Sequence, residues 1–293
     1  MKRNPLLALT LCISGCTGSD VNTVEAEGPV EVDSDWFKVT SLASNTFILE
    51  EPNSSQGNVS YLLVGEERAV LFDTGSGEND AVDGYKIKSV LEALTDIPIT
   101  LLLSHLHFDH VLNISEFEVV AFPDLPLLRQ RVSPEGALTL SEEDLFVGED
   151  PIHVLVSEWL PLDRDIDLGG RTIRLVNIPG HTDESIAIID ETNEEAYLGD
   201  FLYNGPLFLF DDDDVSLYEE SAKNLLSSLG PGYRLFGAHG DPEIGYERIH
   251  DLLDLLAGVQ DGSYPPLEGI VWGSPVSRHE SSAMSLIIFQ GGV

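Results

Sequence analysis

The stretch LLLSHLHFDHVLN, residues 101–113, concentrates residues that could do chemistry. An apolar run ends at Ser104, and His105, His107, Asp109 and His110 follow directly, in a chain that has 8 histidines. In an extended segment, side chains two apart point the same way. His105 and His107 can therefore grip one ion, while Asp109 and His110 turn toward a neighbouring position. Imidazole and carboxylate together suit zinc or iron.

The complement stands where other apolar runs end. LFDTG carries Asp73, NIPGHTDES carries His181, YLGDFLY carries Asp200 and FGAHGD carries His239. Strand ends that converge on one sheet edge commonly form active sites. His153, His250 and His279 lack such a setting and read as packed or surface residues. The run FDDDDV (210–215) lacks EF-hand spacing and reads as a solvated acidic loop.

Positioning these groups takes many strands and a few helices. Strands are expected within 36–52, at 58–65 and 68–75 as a hairpin turning at Glu66-Glu67, and at 98–104, 116–123, 171–180, 185–190, 195–200, 233–240 and 284–289. Helices are expected at 83–96, 215–230 and 243–262, and 123–150 reads as helix and loop. Strands and helices alternate, but with runs of hairpins. That pattern predicts an α/β fold of mixed sheets covered by helices, not a doubly wound parallel sheet.

With Asp73 in FDTG, the run His105-Leu-His107-Phe-Asp109-His110, His181 in PGHT, Asp200 in GD and His239 in AHG, the chain resembles the metallo-β-lactamase-fold hydrolases over about residues 36–290. The resemblance implies an αββα sandwich, two mixed sheets with helices outside, and a site for two divalent metal ions along one edge. Zinc is the first expectation, with iron or manganese as alternatives. By the resemblance, His105, His107 and His181 hold the first metal, Asp109, His110 and His239 hold the second, and Asp200 bridges them. Asp73 orients the site from behind its ligands. Two such ions share and stabilise a hydroxide near neutral pH, which attacks a carbonyl or phosphoryl centre.

The residues trim the choices within that family. His107 stands where flavodiiron oxygen reductases typically have Glu. Glyoxalase II shares all seven ligands, but its basic glutathione-binding residues are not identifiable here. Asp200 weighs against β-lactamases with this His-rich first motif. SHLHFDH is similar to the N-acyl-homoserine lactonases, as is Tyr203, which matches a lactone-contacting tyrosine. Val111-Leu112 is bulkier than the small pair usual there and is expected to narrow the site or alter its backbone. Phe201, Leu207, Phe208 and Phe210 are expected to wall the pocket and favour an apolar substrate portion. Asp109 and Tyr203 are the candidate catalytic residues: Asp109 as a proton relay to the leaving group, Tyr203 for oxyanion or substrate contact. The expected reaction is hydrolysis of a carboxylic ester, lactone, thioester or amide in a small molecule. The alternatives are a single-iron redox enzyme similar to persulfide dioxygenase and a metal-free scaffold.

The N-terminus sets the location. Basic MKRN, apolar PLLALTLCISG and the ending ISGC resemble a bacterial lipoprotein signal. This implies a signal peptide over 1–15, a lipid on Cys16, a flexible tether over 16–35 and a hydrolase domain over 36–293. The chain would then be exported and anchored to the cell envelope, on the periplasmic face of an outer membrane or on the cell surface. Cys12 and Cys16 are the only cysteines, so the domain has no thiolate ligand. The net charge of -36 disfavours nucleic acid and anionic lipid as partners, and with them the RNA-processing branch of the family.

Overall fold

Apolar runs broken by short turns build an eight-stranded sheet first. The computed structural model describes residues 28–78, 86–146, 150–211 and 214–290. In chain order the strands are β1 (Gly28–Val30), β2 (Lys38–Leu42), β3 (Thr46–Glu50), β4 (Val59–Val64), β5 (Ala69–Phe72), β6 (Ile99–Leu102) and β7 (Val120–Pro123). A separate hairpin, β8 (Ala137–Leu140) with β9 (Ile152–Leu155), precedes β10 (Glu158–Leu160), which lies against β7 at the far edge. Neighbours from β1 to β5 are antiparallel, and from β5 through β6 and β7 to β10 they are parallel. Parallel neighbours need crossovers. The described part of the first is α1 (Ile87–Leu94); the second holds α2 (Phe108–Val111) and a 3-10 turn at Ile114–Glu116.

The second sheet holds β11 (Asp165–Asp167), β12 (Thr172–Asn177), β13 (Ile186–Asp190), β14 (Glu195–Tyr197), β16 (Arg234–Phe236) and β17 (Glu243–Ile244). Strand alternation divides its side chains. Ile173, Leu175, Ile186, Ile188, Tyr197 and Phe236 join the core shared with the first sheet. Val176, Ala187, Ile189, Ala196 and Leu235 face the other way, into a core with α5 (Val215–Ser228) and α6 (Arg248–Asp261). On the first sheet's side, Ile87, Val90 and Leu91 of α1 join its core. The result is the αββα sandwich. A third sheet, ordered β15 (Leu207–Leu209), β20 (Ser285–Phe289), β19 (Ser274–Glu280) and β18 (Leu267–Val271), adds to one end.

Several elements differ from expectation. The stretch 123–150 contains α3 (Pro126–Arg129), β8 and α4 (Glu142–Leu145). Ser141 caps the start of α4 with a capping box to Asp144. The last long helix starts at Arg248 rather than 243, because Glu243–Ile244 pairs with β16. The expected helix at 83–96 is observed as Ile87–Leu94, and 83–85 lie outside the described residues. The sheet begins at Gly28–Val30, inside the stretch read as tether, where β1 pairs with β2. Residues 1–27, with Cys16 and the signal-like segment, lie outside the described residues.

Candidate metal centre

The ligand-type residues meet where strands of both inner sheets end. β6 delivers Ser104 and His105, and the chain turns at His107 into the short α2 that carries Asp109 and His110. β12 leads to His181, β14 to Asp200 and β16 to His239. Gly199, just before Asp200, has φ of 55°, and a Cβ there would lie 2.7 Å from Ser104 Cβ. Glycine is needed there for both reasons.

Two groups of donor atoms result. His105 Nε2 and His181 Nε2 each lie 3.0 Å from His107 Nδ1. Four ligands held tetrahedrally at zinc–nitrogen distances would be about 3.3 Å apart, so this spacing suits one ion. Beside them, Asp109 Oδ2 lies 3.6 Å from both His110 Nε2 and His239 Nε2. Asp200 stands between the groups. Its Oδ1 is 3.2 Å from His110 Nε2 and 3.0 Å from His239 Nε2, and its Oδ2 is 3.6 Å from His181 Nε2.

The far side of most imidazoles is tied down. His105 Nδ1 pairs with Ser104 Oγ at 2.9 Å, His181 Nδ1 with the Phe208 carbonyl at 3.0 Å and His239 Nδ1 with the Gln56 carbonyl at 3.1 Å. Asp73 accepts from Ser104 N through Oδ1 at 2.6 Å and meets His110 Nδ1 through Oδ2 at 2.9 Å. Such contacts fix ring orientation and tautomer and leave the inner nitrogens for an ion. Two inner atoms, His110 Nε2 and Asp200 Oδ1, are buried without a hydrogen-bond partner. They lie 3.2 Å apart without an aligned hydrogen bond, an arrangement that a shared ion would satisfy. The all-nitrogen-and-oxygen donor set fits divalent zinc, iron or manganese.

Electrostatics divide the site the same way. Burial, helped by the neighbouring rings, holds His105 and His107 well below the usual imidazole range, and burial also lowers His181. Burial opposes charge on His110 too, but Asp109, Asp200 and Asp73 outweigh it and hold this ring well above the range. Burial likewise works against ionising Asp200, yet His239 and His110 keep its carboxyl well below the ordinary value. The first group is thus three neutral imidazoles, whereas the second sets carboxylates against His110 and His239, whose affinity for protons the neighbouring aspartates raise against the effect of burial.

Sequence reading missed three supporting residues. Asn58 Nδ2 donates to the Asp109 carbonyl at 2.7 Å and to its Oδ2 at 3.3 Å. Glu184 Oε1 accepts from Leu106 N, between two ligands, at 3.2 Å. Ser104 backs His105, as above. The adjacency of Ser104 to His105, and of Glu184 to the His181 loop, was the available signal. Asn58 had none.

The centre opens into a cavity of about 740 Å³. Tyr203 lines it, but its hydroxyl donates to the Pro206 carbonyl and its ring packs 5.0 Å from His239. Phe208 and Phe210 line the cavity as expected, whereas Phe201 and Leu207 sit in the helix-side core. Val111 is buried in the inter-sheet core, and a Cβ on Gly77 would meet Leu112 Cβ at 2.6 Å, so neither of the bulky pair lines the cavity. His153 pairs with Thr139 Oγ1 and His279 with the Tyr264 carbonyl, away from the site.

Residues 56–239 match the family model for the metallo-beta-lactamase superfamily. The chain belongs to that superfamily. It is similar to the acyl-coenzyme A thioesterase MBLAC2 of Gallus gallus, 25% identical over 230 residues, covering 70% of this chain and 83% of the relative. It is also similar to a hydroxyacylglutathione hydrolase of Francisella tularensis, 25% identical over 152 residues, with 52% of this chain and 50% of the relative covered. Among solved structures, a metallo-beta-lactamase from Pontibacter korlensis shares the fold with a TM-score of 0.56 at 17% identity, over 75% of this chain and 99% of that one. The chain is a metal-dependent hydrolase of this superfamily.

Proposed function

We propose that the chain cleaves a carboxylic ester, lactone, thioester or amide at a two-metal centre. The observation that carries this is Asp200, which stands between the two histidine groups: Oδ1 is 3.2 Å from His110 Nε2 and 3.0 Å from His239 Nε2, while Oδ2 is 3.2 Å from His239 Nε2 and 3.6 Å from His181 Nε2. His105, His107 and His181 would hold one divalent ion, Asp109, His110 and His239 the other, and Asp200 both. When bound, such a pair supplies a hydroxide nucleophile near neutral pH and Lewis acidity for the carbonyl oxygen.

The chain's own residues do the rest. Asp73, Ser104 and the Phe208 and Gln56 carbonyls hold the rings in place. Asp109 lines the cavity beside the second group, where it can pass a proton to the departing atom. Burial, then Asp200, holds the Tyr203 phenol well above its ordinary range, so it stays a proton donor. Its donation to Pro206 shapes the wall under His239. The two thioester-cleaving relatives support acyl transfer as the reaction class.

Zinc-supplemented protein should hydrolyse uncharged carboxylic esters, lactones or thioesters. His107→Ala should lower that rate at least about 100-fold while leaving the thermal transition in place. Equal activity in the folded variant would contradict the assignment.

From the sequence of residues 1–35 we also propose that the mature chain is lipidated on Cys16 and held at the cell envelope. Among the described residues no helix is long and apolar enough to cross a membrane. In a lipoprotein-processing bacterium, Cys16→Ser should move the protein from the membrane to the soluble fraction, and continued membrane retention would count against the anchor.

A further inference from the structure

The cavity wall is chemically lopsided. On the side of His107 and His181 it is aromatic. Phe210 packs 5.1 Å from His107 and 5.3 Å from His181, and Phe146 packs 5.5 Å from His107. From there the rings continue outward. Phe289 stacks on Phe210 at 5.3 Å and 16°, and Trp272 stacks on Phe289 at 5.8 Å and 17° and on Phe208 at 5.1 Å and 24°. On the side of Asp109 and His239 the lining is mixed, with Gln56 and Asn204 beside the Tyr203 ring.

Two of these rings occupy backbone positions that bulky residues rarely adopt. Phe146 has φ of 65° and Trp272 has φ of 49°. Left-handed backbone at a large aromatic is unfavourable, and such outliers cluster where a side chain must be aimed. Trp272 and Gly273 form the two-residue turn between β18 and β19, which places the indole at the cavity rim. There Trp272 remains 62% exposed despite its two stacking partners. An exposed ring on the rim of an apolar slot offers a face for a ligand to cover. Trp272 and Phe289 lie outside residues 56–239, the part that matches the family model, whereas Phe208 on β15 lies within it.

Charge narrows the ligand further. Among the described residues, no lysine or arginine lines the cavity. Arg248 and Arg278 line an adjoining pocket that meets this cavity at Gly205 and Pro206; there Arg248 donates to the Ala283 and Tyr203 carbonyls and Arg278 pairs with Glu280 at 2.7 Å. Nothing in the wall compensates the charge of a phosphate or carboxylate on the substrate.

We propose that this aromatic slot binds the acyl part of the substrate, that this part is a medium-length alkyl or aryl group, and that the leaving group is uncharged. The orientation follows from Asp109, the carboxylate proposed to protonate the departing atom, which groups with His110 and His239 rather than with the two histidines that Phe146 and Phe210 pack against. Trp272 is the specificity-determining residue. The inference rests on the hydrolase function proposed above.

The test compares zinc-loaded wild type, Trp272→Ala and Trp272→Phe on octanoyl, phenylacetyl and acetyl esters of one uncharged alcohol, and on octanoyl-coenzyme A beside an uncharged octanoyl thioester. In Trp272→Ala, kcat/KM for the octanoyl and phenylacetyl esters should fall about tenfold or more, with the acetyl ester little changed and Trp272→Phe partly restored. The uncharged thioester should be preferred over the coenzyme A thioester. Calorimetric titration with 2-decanone, which cannot be hydrolysed, should show binding to wild type that weakens similarly in Trp272→Ala. An unchanged octanoyl-to-acetyl ratio, or equal use of the coenzyme A thioester, would overturn the inference. Ketone binding without turnover of any ester would leave the slot standing and count against the hydrolase function instead; absence of ketone binding would overturn the slot.

Discussion

Asp73 shows how much of the centre rests on one side chain. It adopts φ of 70°, which a non-glycine residue rarely does, and it uses both oxygens, one on Ser104 N and one on His110 Nδ1. The strained backbone is held because it sets two ligand segments at once. Asp73→Ala should weaken uptake of the second ion about 10- to 100-fold, read by competition with a chromophoric chelator, and unchanged affinity would remove Asp73 from that role. Glu51 is a second residue with a measurable signature. It is buried, accepts from Ser76 N at 3.2 Å, and burial raises its pKa from 4.5 to about 7. The folded state therefore prefers the protonated form. Its contribution is full below the unfolded value near 4.5 and is lost as pH rises through about 7, a change of about 3 kcal/mol. Urea unfolding across that range should show the decline in wild type and a flatter profile in Glu51→Gln; parallel profiles would contradict it.

The strands sort stability from chemistry by their two ends. β12 leads to His181 at one end and begins after Arg171 at the other. Arg171 and Asp190 are both buried and paired at 2.7 Å. The same guanidinium also donates to Thr46 Oγ1 at 2.6 Å and to the Asn45 carbonyl, so it clamps the second sheet to the first. Removing one partner strands the other's charge, so Arg171→Met should cost about 3–5 kcal/mol in chemical denaturation while leaving metal content unchanged. A loss below about 1 kcal/mol would show that the clamp matters little. Long apolar runs such as VSYLLV and the ligand spacing around His105 made the inter-sheet core and the centre legible in sequence. The third sheet was not legible beyond β20. β18 is the five-residue LEGIV, largely exposed on an edge and carrying a glycine, so it lacks the periodic burial that marks a strand. Phe201 and Leu207 misled for a related reason: an apolar loop next to a site can turn either to the cavity or to a core, and pattern alone does not choose.

Across the whole molecule, a strongly acidic body encloses a pocket whose working face is aromatic and histidine-rich. The net charge of -36 attracts divalent cations over a distance, and the second donor group, with Asp109 and Asp200, continues that field inward. Anionic substrates meet the opposite effect at the surface and find no cation in the described pocket wall. On the proposed function, the same chain would favour loading its metals while selecting neutral, apolar acyl compounds. All of this depends on two ions binding where seven side chains converge. The most direct measurement is the metal content of protein purified without chelator, equilibrated with zinc and freed of excess metal, beside Asp200→Ala. Wild type should hold about two divalent ions per chain, and the variant about one or fewer. One ion per chain in both, or none in either, would contradict the two-metal centre.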